Sequence, residues 1–343
     1  MANPIEIDGS YLEGGGQILR TAAGLSIVTG KPFRVTNIRA NRPSPGLQAQ
    51  HLAGIGAAAS LCSAEIEGAK LGSKEIEFYP GDKMMNSLDI NIGTAGSVTL
   101  VMQALMIPLS IAKQPSHVEV TGGTHVSWSP STGYFRHIFS ECMKMAGVGV
   151  KSETARYGFF PKGNGRISVD ITPSKKLSPL LLLDRGKHVE TRAWSNASVE
   201  LMKSKVAERQ IEGVKKLLKT DKQDIKYVES ESIGSGITIA AKFERCLLGS
   251  CAPGERSTPA EETGKIAALD LSKAMDSGAT MDSHMSDQIL PFLALAEGKS
   301  KFVAPYVTNH MKTNVWVTEK FVGAKFGIEF MDKNVVISCT GSP

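Results

Sequence analysis

Cysteine is scarce and irregularly placed in this sequence. Five residues, Cys62, Cys142, Cys246, Cys251 and Cys339, are scattered over 343 positions. An odd count without paired spacings excludes a disulfide-framed scaffold. The single close pair, Cys246 and Cys251, has no second pair or histidine cluster to complete a zinc site, so reduced, partly buried thiols are expected. Long apolar runs are missing too. The longest, over 98–111, is interrupted by Gln103 and Pro108 and falls short of the roughly 20 residues a membrane span needs; it reads as a buried helix. No basic stretch leads into an apolar segment after Met1, so the expectation is a cytoplasmic chain with no secretory signal and no membrane. Charge of one sign is not abundant either: the net charge of +5 is too mild to mark a nucleic-acid binder by itself. With 41% hydrophobic and 21% charged residues the composition is that of a folded globular protein, long enough for about two domains.

What is present is repetition. Three times a turn bearing Gly or Asp leads into an apolar helix, a short strand, a second helix and a pair of strands. The first copy predicts helices over 17–28 and 47–61 and strands over 33–38, 64–67 and 75–79. The second predicts helices over 97–111 and 134–146 and strands over 116–121, 148–154 and 165–171. The third predicts helices over 288–296 and 315–321 and strands over 301–304, 325–330 and 334–339. Each unit has one apolar helix face and one sheet face, so it needs neighbours to bury them. Between the second and third copies the pattern breaks. Residues 183–278 predict strands over 188–194, 236–243 and 246–250, a basic helix over 199–218 and a second helix over 259–275. They read as an inserted α+β domain, tethered at Pro179 and Ser277-Gly278. Its cluster of Lys203, Lys205, Arg209, Lys215, Lys216 and Lys219 is more often a solvated helix face than an RNA-contacting one.

The sequence contains neither a Walker loop nor GxGxxG, but two glycine-bearing helix entries are suited to oxyanions. They are Glu13-Gly14-Gly15-Gly16-Gln17 and Gly93-Thr94-Ala95-Gly96-Ser97. A proline-stiffened loop, Arg39-Ala40-Asn41-Arg42-Pro43-Ser44-Pro45, offers two guanidinium forks for phosphate, and Arg20 lies one turn beyond the glycines. Glu13 and Asp8 beside them are candidates for a hard cation or for charge at a helix N-terminus. His310 is read in a loop, Thr308-Asn309-His310-Met311-Lys312, after a strand and before a helix, where a neutral imidazole can act as a nucleophile. His284-Met285-Ser286-Asp287-Gln288 opens the same unit and puts an acid and an amide nearby.

Together these segments resemble the RNA 3′-terminal phosphate cyclase family. The resemblance rests on Asp8-Gly9, Glu13 to Arg20, Ile38 to Pro43, Pro45-Gly46-Leu47 and Gln50-His51-Leu52. It continues through Gly96-Ser97 with Gln103, Gly122-Gly123-Thr124, Ala207-Glu208-Arg209, Asp287-Gln288 with Leu290-Pro291, and His310 with Thr313-Asn314. These occur in family order over nearly the whole chain. The resemblance implies an α+β fold of three repeated βαβαββ-like units forming one large domain (1–182 and 279–343), with a smaller inserted thioredoxin-like α/β domain (183–278). It implies ATP as substrate, Mg²⁺ or Mn²⁺ as metal, an RNA with a 3′-phosphate end as partner, and leaves open a homodimer. By position, His310 would be the attacked residue and Glu13 the metal ligand. Arg20, Arg39, Arg42 and Gln50 would hold phosphates, and Gln103, Pro130, His284, Met285, Ser286, Asp287 and Gln288 would line the ATP site. Where many relatives have an aromatic residue, this chain has His284. Two other readings share the outline. A branch of the family without the histidine acts in ribosome assembly, and the enolpyruvyl transferases share the repeated fold; His310 argues against the first and the insert against the second.

Overall fold

A computed structural model describes residues 3–342. The first sheet contains β1 (Ile5–Asp8), β2 (Phe33–Thr36), β3 (Glu65–Glu67) and β4 (Ile76–Tyr79) in the order β1-β2-β4-β3, with β1 and β2 parallel and the other pairs antiparallel. Two helices, α1 (Gln17–Thr29) and α2 (Ala49–Cys62), cross it. The second sheet contains β5 (Ser87–Asn91), β6 (Ser116–Gly122), β7 (Gly149–Arg156) and β8 (Gly165–Thr172), in the order β5-β6-β8-β7 with the same sense of pairing. Its helices are α3 (Val98–Leu109) and a segment made of α4 (Thr132–Tyr134), a π-helical turn (Phe135–Phe139) and α5 (Ser140–Met145).

A two-residue strand, β9 (Leu181–Leu182), precedes the region that breaks the sequence pattern. There β10 (His188–Ser198), β11 (Lys222–Val228), β12 (Ser235–Phe243) and β13 (Leu247–Pro253) form a sheet of different order, β11-β10-β12-β13. It is covered on one side by α6 (Val206–Lys215) and α7 (Ala260–Asp276), and Ile211, Val214, Ile237, Leu248 and Leu271 form a core of its own. The chain then continues through α8 (Ser283–Gln288), α9 (Leu290–Leu295), β14 (Gly298–Ala304), α10 (Asn309–Phe321), β15 (Lys325–Phe330) and β16 (Val335–Gly341). The last sheet has the order β15-β16-β14-β9, with β9 parallel to β14. The result is a mixed α+β fold.

One large core joins the first, second and last sheets, with Leu25, Phe33, Leu105, Phe139, Phe292 and Phe321 within it. Helix α1 lies at its centre, against α3 and α10. Gly24 lets α1 approach α3 so closely that a Cβ there would sit 2.9 Å from Ile107. Among the described residues no helix is long and apolar enough to cross a membrane.

Three expected elements differ. The basic helix over 199–218 is shorter: a 3₁₀ turn at Val199–Leu201 is followed by Lys205 at φ 48°, a left-handed conformation that interrupts a helix, and α6 starts only at Val206. The helix expected over 288–296 is two short helices, with Pro291 in the first turn of α9. The helix expected from 315 starts at Asn309, so His310 is in its first turn and not in a loop. No residue range was expected for strands β1, β5, β9 and β11, though a βαβαββ-like unit implies a leading strand such as the first three; β11 is almost wholly exposed and lacks the apolar alternation that signals a strand. All five cysteines are free; Cys246, just before β13, packs in the core beneath α6 and α7, whereas Cys251 of β13 packs against Tyr134 and Ile138.

Candidate active site

The N-termini of α1 and α10 meet at one edge of the large core. Gly16 starts α1 without a capping side chain, whereas the Thr308 hydroxyl caps α10 by accepting from the Met311 amide at 2.9 Å. Polar side chains join the two helices to α8. Gln17 Nε2 donates to the His310 carbonyl at 2.9 Å, the Thr21 hydroxyl to Asn314 Oδ1 at 2.8 Å, and Asn314 Nδ2 to the Asp287 carbonyl at 2.9 Å. Because Thr21 and Asn314 are buried, each bond is directional and fixes the helix register.

This register holds the His310 ring between two carboxylates. Its Nε2 is 3.1 Å from Glu13 Oε2, and its Nδ1 is 3.8 Å from Asp287 Oδ2. Glu13 is in turn 3.2 Å from an Arg42 guanidinium nitrogen. The imidazole side chain is 47% exposed, whereas Asp287 is 14% exposed. Burial, aided by Arg20 and Arg42 and opposed by Glu13, holds the His310 pKa below the ordinary histidine value, so the ring is neutral at physiological pH. Burial pushes the Asp287 carboxyl up to about 7, with His284 and Arg20 opposing. It also lowers Arg20 to about 10, against the pull of Asp287.

Beside this ring lies a basic pocket. Gly16, Arg20, Gln50 and His51 line one side of it. Arg39 occupies a left-handed conformation at φ 55°, and one of its terminal nitrogens donates to the Ser44 carbonyl at 3.1 Å. The Nε atoms of both Arg39 and Arg42 are buried without a partner. Donors left unpaired in this way are costly unless an anion meets them, and phosphate oxygens suit guanidinium forks. Burial, and then Arg42, lowers the Arg39 pKa, so adding an anion relieves two penalties at once.

Residue-by-residue reading assigned no role to His51, whose side chain is buried here. Its Nδ1 accepts from the Gln48 amide at 3.1 Å, and burial with Arg20 and Arg39 drops its pKa to about 3. It is a fixed, neutral Nε2–H donor beside Gly16, where a Cβ would lie 2.4 Å from that nitrogen. The signal was there in the sequence, a histidine three residues into a helix after glutamine, but its reciprocal cap is visible only in three dimensions.

A second group of expected residues continues away from His310. The Pro130 carbonyl accepts from the Thr99 hydroxyl at 2.7 Å, and Gln103 lies one turn beyond Thr99 on α3. Gln103 donates to Gln288 Oε1 at 2.8 Å, and Gln288 donates to the His284 carbonyl at 2.9 Å. The His284 ring meets Tyr134 edge-on at 6.0 Å and lies 3.4 Å from Asp270 Oδ2 of α7. Burial opposes charge on His284, but Asp270, Asp282 and Asp287 outweigh it and raise the ring to about 9. The expected contributions of Met285 and Ser286 differ. Both side chains are fully buried, Met285 in the core and Ser286 donating to the Asp282 carbonyl at 2.7 Å, so neither reaches the cleft. Asp8 is also engaged elsewhere, accepting from Ser10 at 2.9 and 2.7 Å and from Asn37 at 3.2 Å.

For a metal, among the described residues no group of three or more His, Cys, Asp and Glu could hold an ion alone. A hard cation that takes most of its oxygens from phosphates and water needs only a carboxylate or two from the protein, and Glu13 at the pocket mouth fits that requirement.

A family model described as RNA 3′-terminal phosphate cyclase matches residues 11–328, and the chain belongs to that family. Curated relatives carrying this name are 42% identical over 330 residues in Thermococcus kodakarensis (95% of this chain, 94% of the relative). The values are 41% over 329 residues in Methanopyrus kandleri (93% of each chain) and 39% over 350 residues in Caldivirga maquilingensis (99% and 98%). Among solved structures, the enolpyruvyl transferase NikO from Streptomyces tendae aligns over 98% of this chain but only 48% of its own. Its TM-score of 0.36 and 11% identity are too low to bear on fold or activity.

Proposed function

We propose that this chain converts the 3′-terminal phosphate of RNA to a 2′,3′-cyclic phosphate at the expense of ATP, through AMP held on His310. The observation that carries this reading is a neutral imidazole between two carboxylates, 3.1 and 3.8 Å away, facing arginines with unpaired Nε donors.

In the first step His310 Nε2 attacks the α-phosphorus of ATP, the bond to the β-phosphate oxygen breaks and diphosphate leaves. The ring needs its proton on Nδ1 to free the Nε2 lone pair, so Glu13, now 3.1 Å from Nε2, must turn from the ring, while Asp287 on the other side favours this tautomer and the positive charge that develops. Arg20, Arg39 and Arg42 stabilise charge on the transferring and departing phosphates, Gln50 supports them, and Glu13 would hold Mg²⁺ or Mn²⁺. When bound, such a cation supplies charge neutralisation on the triphosphate. Gln103, Pro130, His284 and Gln288 flank the far end of the nucleotide. In the second step an oxygen of the RNA 3′-phosphate attacks the AMP phosphorus and the P–N bond breaks, which restores His310. In the third the 2′-OH attacks the 3′-phosphorus, loses its proton and expels AMP. Activation is required because an oxide-like group leaves a phosphate monoester poorly, whereas AMP leaves readily. The 2′-OH needs no recruitment because it is already attached beside the phosphorus.

We also read the large core as three copies of one βαβαββ-like unit (1–182 and 279–343) and residues 183–278 as a thioredoxin-like insert. Supporting this, three sheets share the order first-second-fourth-third strand and the remaining sheet does not.

Incubation with α-labelled ATP and Mg²⁺ should leave acid-labile label on the wild type and none on His310→Ala. Absence of label on the wild type would turn the reading toward a non-catalytic RNA-processing protein.

A further inference from the structure

Two aromatic rings stand in water on loops that adjoin this site through a shared turn. Trp128 is 100% exposed and Phe160 76% exposed. Trp128 also holds φ 66°, a left-handed conformation that is strained for so bulky a residue. Other surface aromatics nearby have their faces covered. Trp194 lies between His137 at 3.9 Å and the Arg192 guanidinium at 5.1 Å, and Tyr157 lies between His125 at 5.7 Å and the Lys226 ammonium at 5.4 Å.

Both exposed rings are carried by loops packed on one turn, Gly93 to Gly96. The Gly123 amide donates to the Gly96 carbonyl at 2.8 Å and the Thr124 amide to the Gly158 carbonyl at 2.8 Å, which ties the Trp128 loop to the turn and to the Phe160 loop. Gly163 presses on the same turn so tightly that a Cβ would meet Ala95 Cα at 2.6 Å. The turn in turn abuts the phosphate pocket, because the Ser97 amide donates to Gln50 Oε1 at 3.4 Å. On the other side the Pro130 carbonyl, two residues from Trp128, is held by Thr99. Lys162 in the Phe160 loop and Arg256 near Ser127 are exposed cations without an ion pair among the described residues, and Glu255 accepts from Ser127 at 3.2 Å.

We infer that Trp128 and Phe160 form a stacking platform for the unpaired bases of the RNA strand leading to the reacting 3′ end, with Lys162 and Arg256 facing its phosphates. The inference rests on the reading of the pocket given above. Aromatic faces interleaved with cations suit a single strand of any sequence, because every base has a π-face and the backbone charge is uniform. Rigid loops sharing one turn place the platform at a fixed offset from Gln50. The strand can therefore be held while its terminal phosphate enters among the arginines.

The test is an anisotropy titration of the full chain with fluorescein-labelled RNAs ending in a 3′-phosphate, one a dinucleotide and one a decanucleotide. Trp128→Ala and Phe160→Ala should each weaken the decanucleotide about tenfold and barely affect the dinucleotide, while Trp128→Phe keeps most of the affinity. Unchanged decanucleotide binding in both alanine variants, or equal loss on both lengths, overturns the platform. A parallel loss of ATP binding places the rings in the nucleotide site and overturns it as well. The titration requires no turnover, so it reports on this surface even if the wild type takes no label from ATP, which separates failure of the platform from failure of the reaction.

Discussion

At the scale of single residues, the proposed chemistry depends on the charge states around His310. Protonation would remove its lone pair, and its lowered pKa keeps the ring available below the ordinary histidine range. Asp287, raised to about 7, is the group that titrates near neutrality. Self-adenylylation should therefore rise as pH passes through about 7 and Asp287 ionises. Asp287→Asn should flatten that limb and slow labelling roughly 100-fold, measured as rate against pH with labelled ATP. The same shift has a stability cost with a definite sign. A carboxyl whose folded pKa exceeds its unfolded value contributes stability below the unfolded pKa, and that contribution is lost as pH rises through the folded one. Asp287→Asn should thus melt at a higher temperature than wild type at pH above about 7, with the gap closing in acid. A lower melting temperature at alkaline pH would show that Asp287 is not a buried charge.

At the scale of elements, the α10 start places the proposed nucleophile. Thr308→Ala removes its cap and should cost about 1 kcal/mol in thermal unfolding, with a larger fractional loss in labelling than in stability. In the sequence this start is hidden. Its first six residues read Asn-His-Met-Lys-Thr-Asn, and of the three buried among them only Met311 is apolar, Thr313 and Asn314 being polar, so the apolar period that reveals helices is clear only from Val315. Helix α3 was legible because all its buried residues but Thr99 are apolar. Glycines decide another contact. A Cβ on Gly264 of α7 would lie 1.9 Å from the Gln210 carbonyl, and one on Gly213 of α6 would lie 2.0 Å from that of Glu261. Gly264→Ala must push these helices apart and should destabilise the protein by about 2 kcal/mol, seen as a drop in melting temperature. Nothing in a lone sequence separates such a packing glycine from one that starts a turn.

At the scale of the whole molecule, Asp282 is the junction. Its buried carboxylate accepts from the Tyr134 hydroxyl at 2.7 Å, the Gly249 amide at 2.9 Å, and the amides of His284 and Met285 at 3.0 and 2.9 Å. It thereby binds the second sheet's helical segment, strand β13 and helix α8 to one another. Asp282→Ala leaves several buried donors unmet and should destabilise by ~3 kcal/mol or more, with an earlier and broader melt. The mixed α+β class and most helices and strands were legible in the sequence because helix and strand periods encode them. Asp282, His51 and strand β9 were not, because each acts through partners distant along the chain.

Strand β9 has one more consequence. Leu181 pairs with Lys301 across the whole intervening segment, and His310 follows that partner by nine positions. During synthesis, then, Leu181 and Leu182 emerge from the ribosome with nothing to join until β14 has followed. His310 follows that strand, so a nascent chain stalled before β14 would hold the arginines without the ring that the proposed reaction requires.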